Sequence, residues 1–345
     1  MICLNNNREI QFDEWQRIIT SLNLSERLEN AGSIVIKPNF AAGTYSNPNT
    51  HVMSDLSLLQ SCVRFLLECN PKAVIYIAES DSTGYGFAYQ KFEHLGLPDS
   101  LNLPPMSLNR IRMLDLSRDR LVRIENELFK HYVTIDHQLW LSRILMDSDF
   151  KISLSNLKTH AVTGYTGACK NLFGCLPDFD KAHNHPIIAK VIHDLVIAIN
   201  PDLSVVDAFY GMEKNGPVQG IDVDSGYRVF SNNAIEADIY AADTIGYPPQ
   251  RIQYLRLLSR TFDIELKLAT KTDTIREYKK PSVFLRFMNC VGLNIQKCGQ
   301  AIASFGHRIH SCPTPLVLII TIFRPILLKM FSYERLKKWK RTFVK

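Results

Sequence analysis

Apolar residues fall in short runs rich in β-branched side chains, and stretches with apolar residues at helical spacing separate these runs. The first run, SIVIKPNF (33–40), predicts a strand that ends at a proline. An amphipathic stretch, DLSLLQSCVRFLLEC (55–69), follows it, and then AVIYIAES (73–80), a run typical of a buried strand. The order strand, helix, strand predicts a parallel pair with a helical crossover.

The alternation continues through the middle of the chain. Further strands are predicted at 150–156, 203–209 and 227–230, and further helices at 187–199 and 233–246. Asn232 or Asn233 is the expected N-cap of the last helix. We therefore expect the α/β class, with a mostly parallel sheet flanked by helices.

Length and pattern together predict two domains. A chain of 345 residues is long for one core. We expect an α/β domain over 1–249, with an irregular stretch at about 100–148 forming an inserted antiparallel piece or smaller subdomain. Residues 250–345 have a helical, basic pattern and predict a helical C-terminal extension.

The C-terminal extension contains an apolar segment, 313–331, and a basic tail. The uninterrupted apolar run Leu316–Phe323 is shorter than the roughly 20 residues that cross a bilayer. The segment is therefore either a core or interface segment or an interfacial anchor. The N-terminus lacks a signal-peptide pattern. We expect a cytoplasmic protein, with peripheral membrane contact through 313–345 as the alternative.

Most of the net charge of +6 lies in the basic tail. Residues 332–345 hold six Lys/Arg and one Glu, so the preceding residues sum to +1. A nearly neutral body argues against a nucleic-acid-binding face. No two of the eight cysteines are spaced C-x-x-C, so neither a zinc knuckle nor an iron–sulfur cluster is expected.

Polar side chains concentrate where the predicted strands end. The carboxyl ends of parallel strands meet at one crevice, so we expect these side chains to surround a ligand there. The candidate ligand-binding residues are Lys37, Asn39, Glu79, Asp81, Lys158, Thr159, Thr163, Thr166, Gly167, Asn171, Lys181, Asp207, Glu213 and Asn215.

The stretch TGYTGACKNLFG (163–174) predicts a glycine-rich entry into a short helix. Backbone amides at a helix N-terminus favour anions, and Lys158 and Lys170 add positive charge. A phosphate, a carboxylate or a nucleotide each fits this expectation. The Walker pattern is absent from the stretch.

Histidines accompany this stretch on both sides. His160 precedes it, and His183 and His185 follow it as an H-x-H pair, which suits either a metal ion or two acid–base groups. The candidate catalytic residues are therefore His160, Lys170, His183 and His185. The cofactor stays open, with a divalent metal held by His183 and His185 as one option.

These motifs resemble the proteins grouped as domain of unknown function 362. The resemblance covers about residues 33–246. It is carried by KPNF with His51 after it, AESDSTG, NLKTHAVTGYTGACKNLFGCLP with Lys181 and the H-x-H pair, VVDAFYGMEKNGPVQG and SNNAIEADIYAAD. Members often append iron–sulfur cysteines, which this chain lacks, so electron transfer is not implied here.

A second similarity, in spacing and a few residue types, is to the nickel-pincer lactate racemases. There a histidine precedes a cofactor-bearing lysine and another histidine follows as a metal ligand. His160, Lys170 and His185 (or His183) match that order. The similarity implies hydride or proton transfer next to the hydroxyl carbon of a small acid.

Two functions follow from the sequence. The first is an enzyme that acts on an anionic small molecule at the strand ends by acid–base chemistry, with or without a metal. The alternative is a non-catalytic ligand-binding or accessory protein at a membrane surface. Nucleic acid is not an expected partner.

Overall fold

The structure is a computed structural model that describes residues 2–40, 52–82, 86–130, 138–160, 162–214, 216–217, 220–266 and 275–281. Its strands are β1 (Ile2–Asn5), β2 (Ser33–Pro38), β3 (Val74–Glu79), β4 (Ile111–Asp115), β5 (Leu121–Ile124), β6 (Leu139–Ser142), β7 (Phe150–His160), β8 (Gly164–Thr166), β9 (Leu203–Glu213), β10 (Ile221–Asp224) and β11 (Arg228–Ser231). Its α-helices are α1 (Phe12–Ser21), α2 (Ser25–Glu29), α3 (Leu56–Cys69), α4 (Ala88–His94), α5 (Arg143–Asp147), α6 (Ala168–Asn171), α7 (Ile188–Ile199), α8 (Ala234–Thr244) and α9 (Gln253–Phe262).

A mixed sheet of nine strands lies at the centre of the described residues. Its order is β1-β11-β9-β7-β2-β3-β4, with β10 paired to β9 and β8 paired to β7. The neighbouring pairs from β9 to β4 are all parallel. Strands β1, β8, β10 and β11 join antiparallel. The predicted α/β class with a mostly parallel sheet is confirmed.

Helices cover both faces of this sheet. Buried side chains of α1, α3 and α4, such as Trp15, Leu59 and Phe92, pack against one face. Those of α6, α7, α8 and α9, such as Ile192 and Ala241, pack against the other. A parallel sheet that is covered on both faces buries nearly every strand residue, which is why its strands are continuous apolar runs in the sequence.

Side-chain caps fix where two of the helices begin. Asp55 accepts a hydrogen bond from the Ser57 N–H (2.8 Å) before α3. Asn233, one of the two expected caps, accepts from the N–H groups of Ile235 (2.9 Å) and Glu236 (3.3 Å) before α8. Each cap satisfies an amide that has no partner within its own helix.

Strands β7 and β9 run further than the apolar pattern predicts. Their ends are paired with β8 and β10, in which Lys158 lies opposite Thr166 and Glu213 lies opposite Ile221. These short antiparallel partners satisfy backbone groups beyond the parallel sheet. Polar residues up to His160 therefore belong to a strand, although their sequence is typical of a loop.

The irregular stretch at 100–148 contributes β4 to the main sheet, and β5 and β6 pair antiparallel in a separate ribbon. The chain divides into two units, residues 1–289 and 290–345. Helix α9 lies in the first unit, because Tyr254, Leu255 and Leu258 are buried in the same core as α7 and α8. Helix α9, which belongs to the predicted extension 250–345, thus packs in the same core as the α/β elements, whereas the predicted domain boundary at residue 249 stays a prediction.

The apolar segment 313–331 and the basic tail lie outside the described residues. Within the described ranges, the structure contains no helix that is both long enough and apolar enough to cross a membrane.

Candidate functional site

The parallel strands β2, β3, β7 and β9 present charged or polar side chains at the same edge of the sheet. Lys37 lies near the end of β2 and Glu79 at the end of β3. Strand β7 reaches further, and its register with β9 shifts between Asn156 and Lys158. The loop, α6 and the 3-10 turn Leu172–Cys175 that follow β7 and β8 lie over this edge. Two groups of cationic side chains form there.

The first group, which we call the Glu79 cluster, consists of Lys37, Glu79, Lys91 and Lys181. The Lys37 ammonium lies 3.2 Å from Oε2 of Glu79, and the Lys91 ammonium lies 3.7 Å from Oε1. Burial alone would raise the pKa of Glu79, but the three lysines and the Ser80 N–H lower it to about 2. Glu79 is therefore an anion that holds this group together.

The other lysines of the Glu79 cluster are also hydrogen-bonded. Lys91 donates to the Ser80 carbonyl (2.8 Å), and Lys181 donates to the Ser80 hydroxyl and the Asp81 carbonyl. Burial, reinforced by the nearby ammonium groups, lowers the pKa of Lys181 to about 7. The Ser80 hydroxyl donates to the carbonyl of Gly174 (2.5 Å), so the cluster also fixes the 3-10 turn after α6.

The second group, the lysine–histidine cluster, consists of Lys158, His160, Lys170 and His185. Lys158 is fully buried and donates to the backbone carbonyl of Val52. Burial and the Lys170 ammonium lower the pKa of Lys158 to about 7. The side chains of this cluster influence one another's protonation. The structure thus brings Lys158 and Lys170 together with His160 and His185, two of the three candidate histidines.

His160 has a defined tautomer. Its Nδ1 accepts hydrogen bonds from the N–H groups of Val162 (3.0 Å) and Thr163 (3.2 Å), so the proton lies on Nε2. Burial lowers the pKa of His160 well below its usual value, and Lys170, His185 and Lys158 lower it further. His160 is therefore neutral, and Nε2–H is the group that it offers to a ligand.

Lys170, on α6, differs from the other lysines at this edge. It has no hydrogen bond or ion pair with any residue in the described part of the chain. Its ammonium lies 6.0 Å from the ring centre of Phe173, whose ring centre is 5.9 Å from that of His185. Burial lowers the pKa of Lys170 to about 8. An anion bound here would meet a cation that makes no internal ion pair.

The helix N-terminus expected to bind the ligand anion is occupied by the protein itself. The carboxylate of Asp238, on α8, accepts hydrogen bonds from the N–H groups of Ala168 (2.6 Å) and Cys169 (3.1 Å). A Cβ atom at Gly167 would lie 2.2 Å from Asp238 and 2.4 Å from the Tyr165 hydroxyl. Gly167, predicted to bind ligand, therefore makes room for an internal carboxylate instead.

Several predicted ligand-binding side chains are hydrogen-bonded to the backbone around the site. Asn171 donates to the Lys37 carbonyl (2.8 Å), and Thr159 donates to the Lys214 carbonyl (2.8 Å). Thr163 donates to the Tyr165 carbonyl (2.8 Å). The Asp81 carboxylate accepts from the Ala88 N–H (2.8 Å) at the start of α4. At Asn39 it is the backbone N–H that is held, because it donates to the Ser54 hydroxyl (2.8 Å). These residues hold the loops that carry the two clusters.

The predicted carboxylates on β9 have partners of their own. Asp207 pairs with Arg228 on β11 (3.1 Å), and burial raises the pKa of Asp207 to about 6. Glu213 accepts a hydrogen bond from the Lys279 N–H (2.9 Å), which attaches the segment 275–281 to the sheet. Asn215 lies outside the described residues. The structure therefore does not bring Asp207 or Glu213 into hydrogen-bond contact with either cluster.

The described ranges contain no set of side chains that could serve as the ligands of the divalent metal considered from the sequence. No group of three or more His, Cys, Asp or Glu side chains lies close enough there to hold a metal ion. The side chain of His183 lies outside the described atoms. The metal site predicted at His183 and His185 therefore stays a prediction.

Sequence reasoning missed several polar residues that shape this edge. Lys91 and Asp238 lie on the apolar faces of α4 and α8, and Arg228 lies within an apolar strand. A charged residue at a position that should face the core is the signal that identifies such residues. Asn184 is fully buried, and neither polar atom of its side chain is hydrogen-bonded to a described residue. The Thr166 hydroxyl is likewise buried without a partner in the described ranges.

Comparison with known proteins agrees with the motifs. The family model described as "Domain of unknown function (DUF362)" matches residues 34–243. The chain is 27% identical over 226 residues to "Thylakoid-associated protein sll1697" of Synechocystis sp., and the match covers 64% of each protein. The chain thus spans less than two thirds of that relative. Because the family model covers more than half of the sequence, the chain belongs to the DUF362 family.

Proposed function

We propose that this protein is an enzyme that binds a small organic anion at the lysine–histidine cluster and transfers a proton to or from it. Lys170 and Lys158 supply the positive charge. His160 is neutral, and its Nε2–H donates to no acceptor among the described residues; we propose that it and His185 exchange the proton.

The ammonium of Lys170 carries this proposal. A lysine that makes no ion pair with a described residue, and whose pKa falls to about 8 beside Lys158, destabilises the empty protein. An anion relieves that repulsion and replaces the missing partner. Sites tuned in this way are common where proteins bind or transform charged ligands.

Binding is expected to take up protons. A bound anion favours the charged forms of Lys158 and Lys170, so it raises pKa values that are about 7 and about 8 in its absence. Affinity should therefore fall as the pH rises through this range, by about tenfold or more between pH 7 and pH 9.5.

Isothermal titration calorimetry with inorganic phosphate and with oxalate tests the binding step. We expect the wild type to bind these anions and to take up protons on binding, which is measured by comparing buffers of different ionisation enthalpy. Lys170→Met should lose both the binding and the proton uptake. The matched control is Lys190→Met, which alters an exposed lysine on α7. Equal affinities of the two variants for these anions would exclude the lysine–histidine cluster as the anion site.

Proton transfer is tested by deuterium exchange in D2O. A set of small hydroxy and oxo acids is incubated with the protein, and proton NMR follows exchange at the carbon next to the carboxylate. His160→Gln should lose exchange while retaining anion affinity within about threefold, because the imidazole is neutral and contributes no charge. Exchange that continues at the wild-type rate in this variant argues against His160 as the acid–base group.

A second candidate function is that of an accessory protein at a membrane surface. The printed name of the Synechocystis relative places that protein at thylakoids. Six Lys/Arg in residues 332–345 would favour anionic lipid.

We expect the full chain to co-sediment with vesicles containing phosphatidylglycerol but not with phosphatidylcholine vesicles. Replacement of Lys337, Lys338, Lys340 and Arg341 by Gln should abolish this. Unchanged sedimentation of that variant would show that the basic tail does not bind the vesicles.

A further inference from the structure

The Glu79 cluster and the lysine–histidine cluster together contain five lysines, and four of them have a definite partner among the described residues. Lys37 and Lys91 pair with Glu79, Lys181 donates to Ser80 and Asp81, and Lys158 donates to Val52. The fifth, Lys170, makes no hydrogen bond or ion pair within the described ranges. Lys158 is fully buried, whereas Lys170 is only partly buried. Lys170 is thus the one of these five that combines an uncommitted nitrogen with access from outside.

We propose that Lys170 is a covalent nucleophile that forms an imine with a small anion carrying an aldehyde or ketone carbon close to its charged group. The proposal rests on the proposed function, because the same cluster must first hold the anion. It extends that function by naming the substrate class, carbonyl-bearing carboxylates or phosphates, and the atom that attacks them. Lys158 and His185 would lie beside the charged group.

The environment of Lys170 suits a nucleophile. An amine attacks a carbonyl only in its neutral form, and burial lowers the pKa of Lys170 to about 8. In the protein without ligand, its neutral fraction near pH 7.5 is therefore on the order of 10²-fold larger than that of an ordinary lysine. Lysines that form imines are activated in this way by desolvation, which is the cause that lowers the pKa of Lys170.

The reaction balances with groups that are present. The neutral amine of Lys170 adds to the carbonyl carbon and gives a carbinolamine. The Nε2–H of His160 donates a hydrogen bond to the oxygen that gains negative charge. The carbonyl oxygen then leaves as water together with the two amine hydrogens, and the C=N bond remains. No oxidant, reductant or metal takes part in this step.

Reductive trapping tests the proposal. The full chain is incubated at pH 7.5 with pyruvate, glycolaldehyde phosphate or lactate, in the presence of cyanoborohydride, and peptide mapping by mass spectrometry locates the adducts. Lactate shares the carbon skeleton of pyruvate but has no carbonyl. We expect an adduct on Lys170 with one or both carbonyl compounds, formed about tenfold or more faster than on Lys190, and none with lactate. The preferred carbonyl compound distinguishes a carboxylate ligand from a phosphate ligand.

A charge-conserving variant separates this inference from the proposed function. Lys170→Arg keeps a cation but has no amine that forms an imine, so it should lose the adduct and retain stabilisation of the protein by pyruvate or lactate. Lys190→Arg should keep both. Should the variant fail to fold, the wild-type peptide map still decides the outcome.

The remaining outcomes are also decisive. Thermal stabilisation by these anions with no adduct on Lys170, or labelling of Lys170 no faster than of Lys190, overturns the imine and leaves anion binding intact. Neither stabilisation nor adduct overturns both proposals.

Discussion

Two groups of cations lie at one edge of the same sheet, and they differ in whether the chain supplies the anion. In the Glu79 cluster, a carboxylate pairs with Lys37 and Lys91, and its pKa is lowered to about 2. In the lysine–histidine cluster, Lys158 donates to a backbone carbonyl and Lys170 makes no ion pair with any described residue. The second cluster is therefore the proposed anion site, because its Lys170 has no ionic partner among the described residues.

The start of α6 extends this comparison. It also attracts negative charge, and the carboxylate of Asp238 already occupies it. Two of the three positive regions at this edge are thus neutralised from within the chain. A positive region is evidence for a ligand only after its internal partners have been identified, because the sequence alone does not distinguish an occupied region from one that is open.

The largest effect is expected at Glu79. The substitution Glu79→Gln leaves the ammonium groups of Lys37 and Lys91 buried without their carboxylate. We expect it to lower the free energy of unfolding by about 3–5 kcal/mol. In the wild type, the folded pKa of about 2 lies below the reference value of 4.5. The stability that Glu79 contributes is therefore present above pH 4.5 and is lost as the pH falls toward 2.

Urea denaturation followed by circular dichroism measures this effect, with Glu93→Gln, an exposed position on α4, as the control. The control should change stability by less than about 0.5 kcal/mol. A Glu79→Gln protein as stable as the control would mean that Glu79 does not hold the cluster together, and the contrast between the two clusters would disappear.

The sequence predicts the frame of this edge better than it predicts which side chains meet. Apolar runs identify the strand ends, and the structure places Lys37, Glu79 and Lys158 near the ends of β2 and β3 and within the extended part of β7. Asp238 was not associated with α6, because that contact depends on how α8 packs against it. Asp207 and Glu213 were assigned to the ligand, although their partners, Arg228 and the backbone of Lys279, come from other parts of the chain. A linear pattern contains positions and spacings but no information about tertiary partners.

The second prediction concerns Gly167, at the N-terminal end of α6. The added Cβ of Gly167→Ala would lie within 2.4 Å of both the Asp238 carboxylate and the Tyr165 hydroxyl, so these groups must move apart. We expect a loss of about 2–3 kcal/mol in the free energy of unfolding, as for other overpacked core sites. Gly32→Ala is the control, because the nearest atom to its Cβ would be at an ordinary 3.4 Å.

Anion affinity sharpens this prediction. If the start of α6 is closed by Asp238, a folded Gly167→Ala protein should bind phosphate and oxalate within about threefold of the wild type, because the lysine–histidine cluster remains. Loss of anion affinity without loss of stability would instead show that the ligand binds at Gly167, as the sequence alone suggests.

The smallest effect, and one of opposite sign, is expected at Lys170. Its amine shares the site with Lys158 and His160 on β7, and the folded pKa of about 8 is below the reference value of 10.5. Between these values the unfolded chain binds more protons, so the free energy of unfolding rises with pH. Below pH 8 the protonated Lys170 destabilises the fold, in contrast to Glu79, which stabilises it.

Lys170→Met removes this destabilising charge. With allowance for partial exposure of the amine, the free energy of unfolding at pH 7 should increase by about 1–2 kcal/mol. The rise in stability between pH 8 and pH 10.5 should become smaller, since Lys170 no longer contributes to it. Urea denaturation over pH 6–10.5 measures both quantities, with Lys190→Met expected to match the wild type. A variant that is less stable than the wild type, with an unchanged alkaline slope, would mean that Lys170 is an ordinary solvated lysine, and the lysine–histidine cluster would then need no external anion.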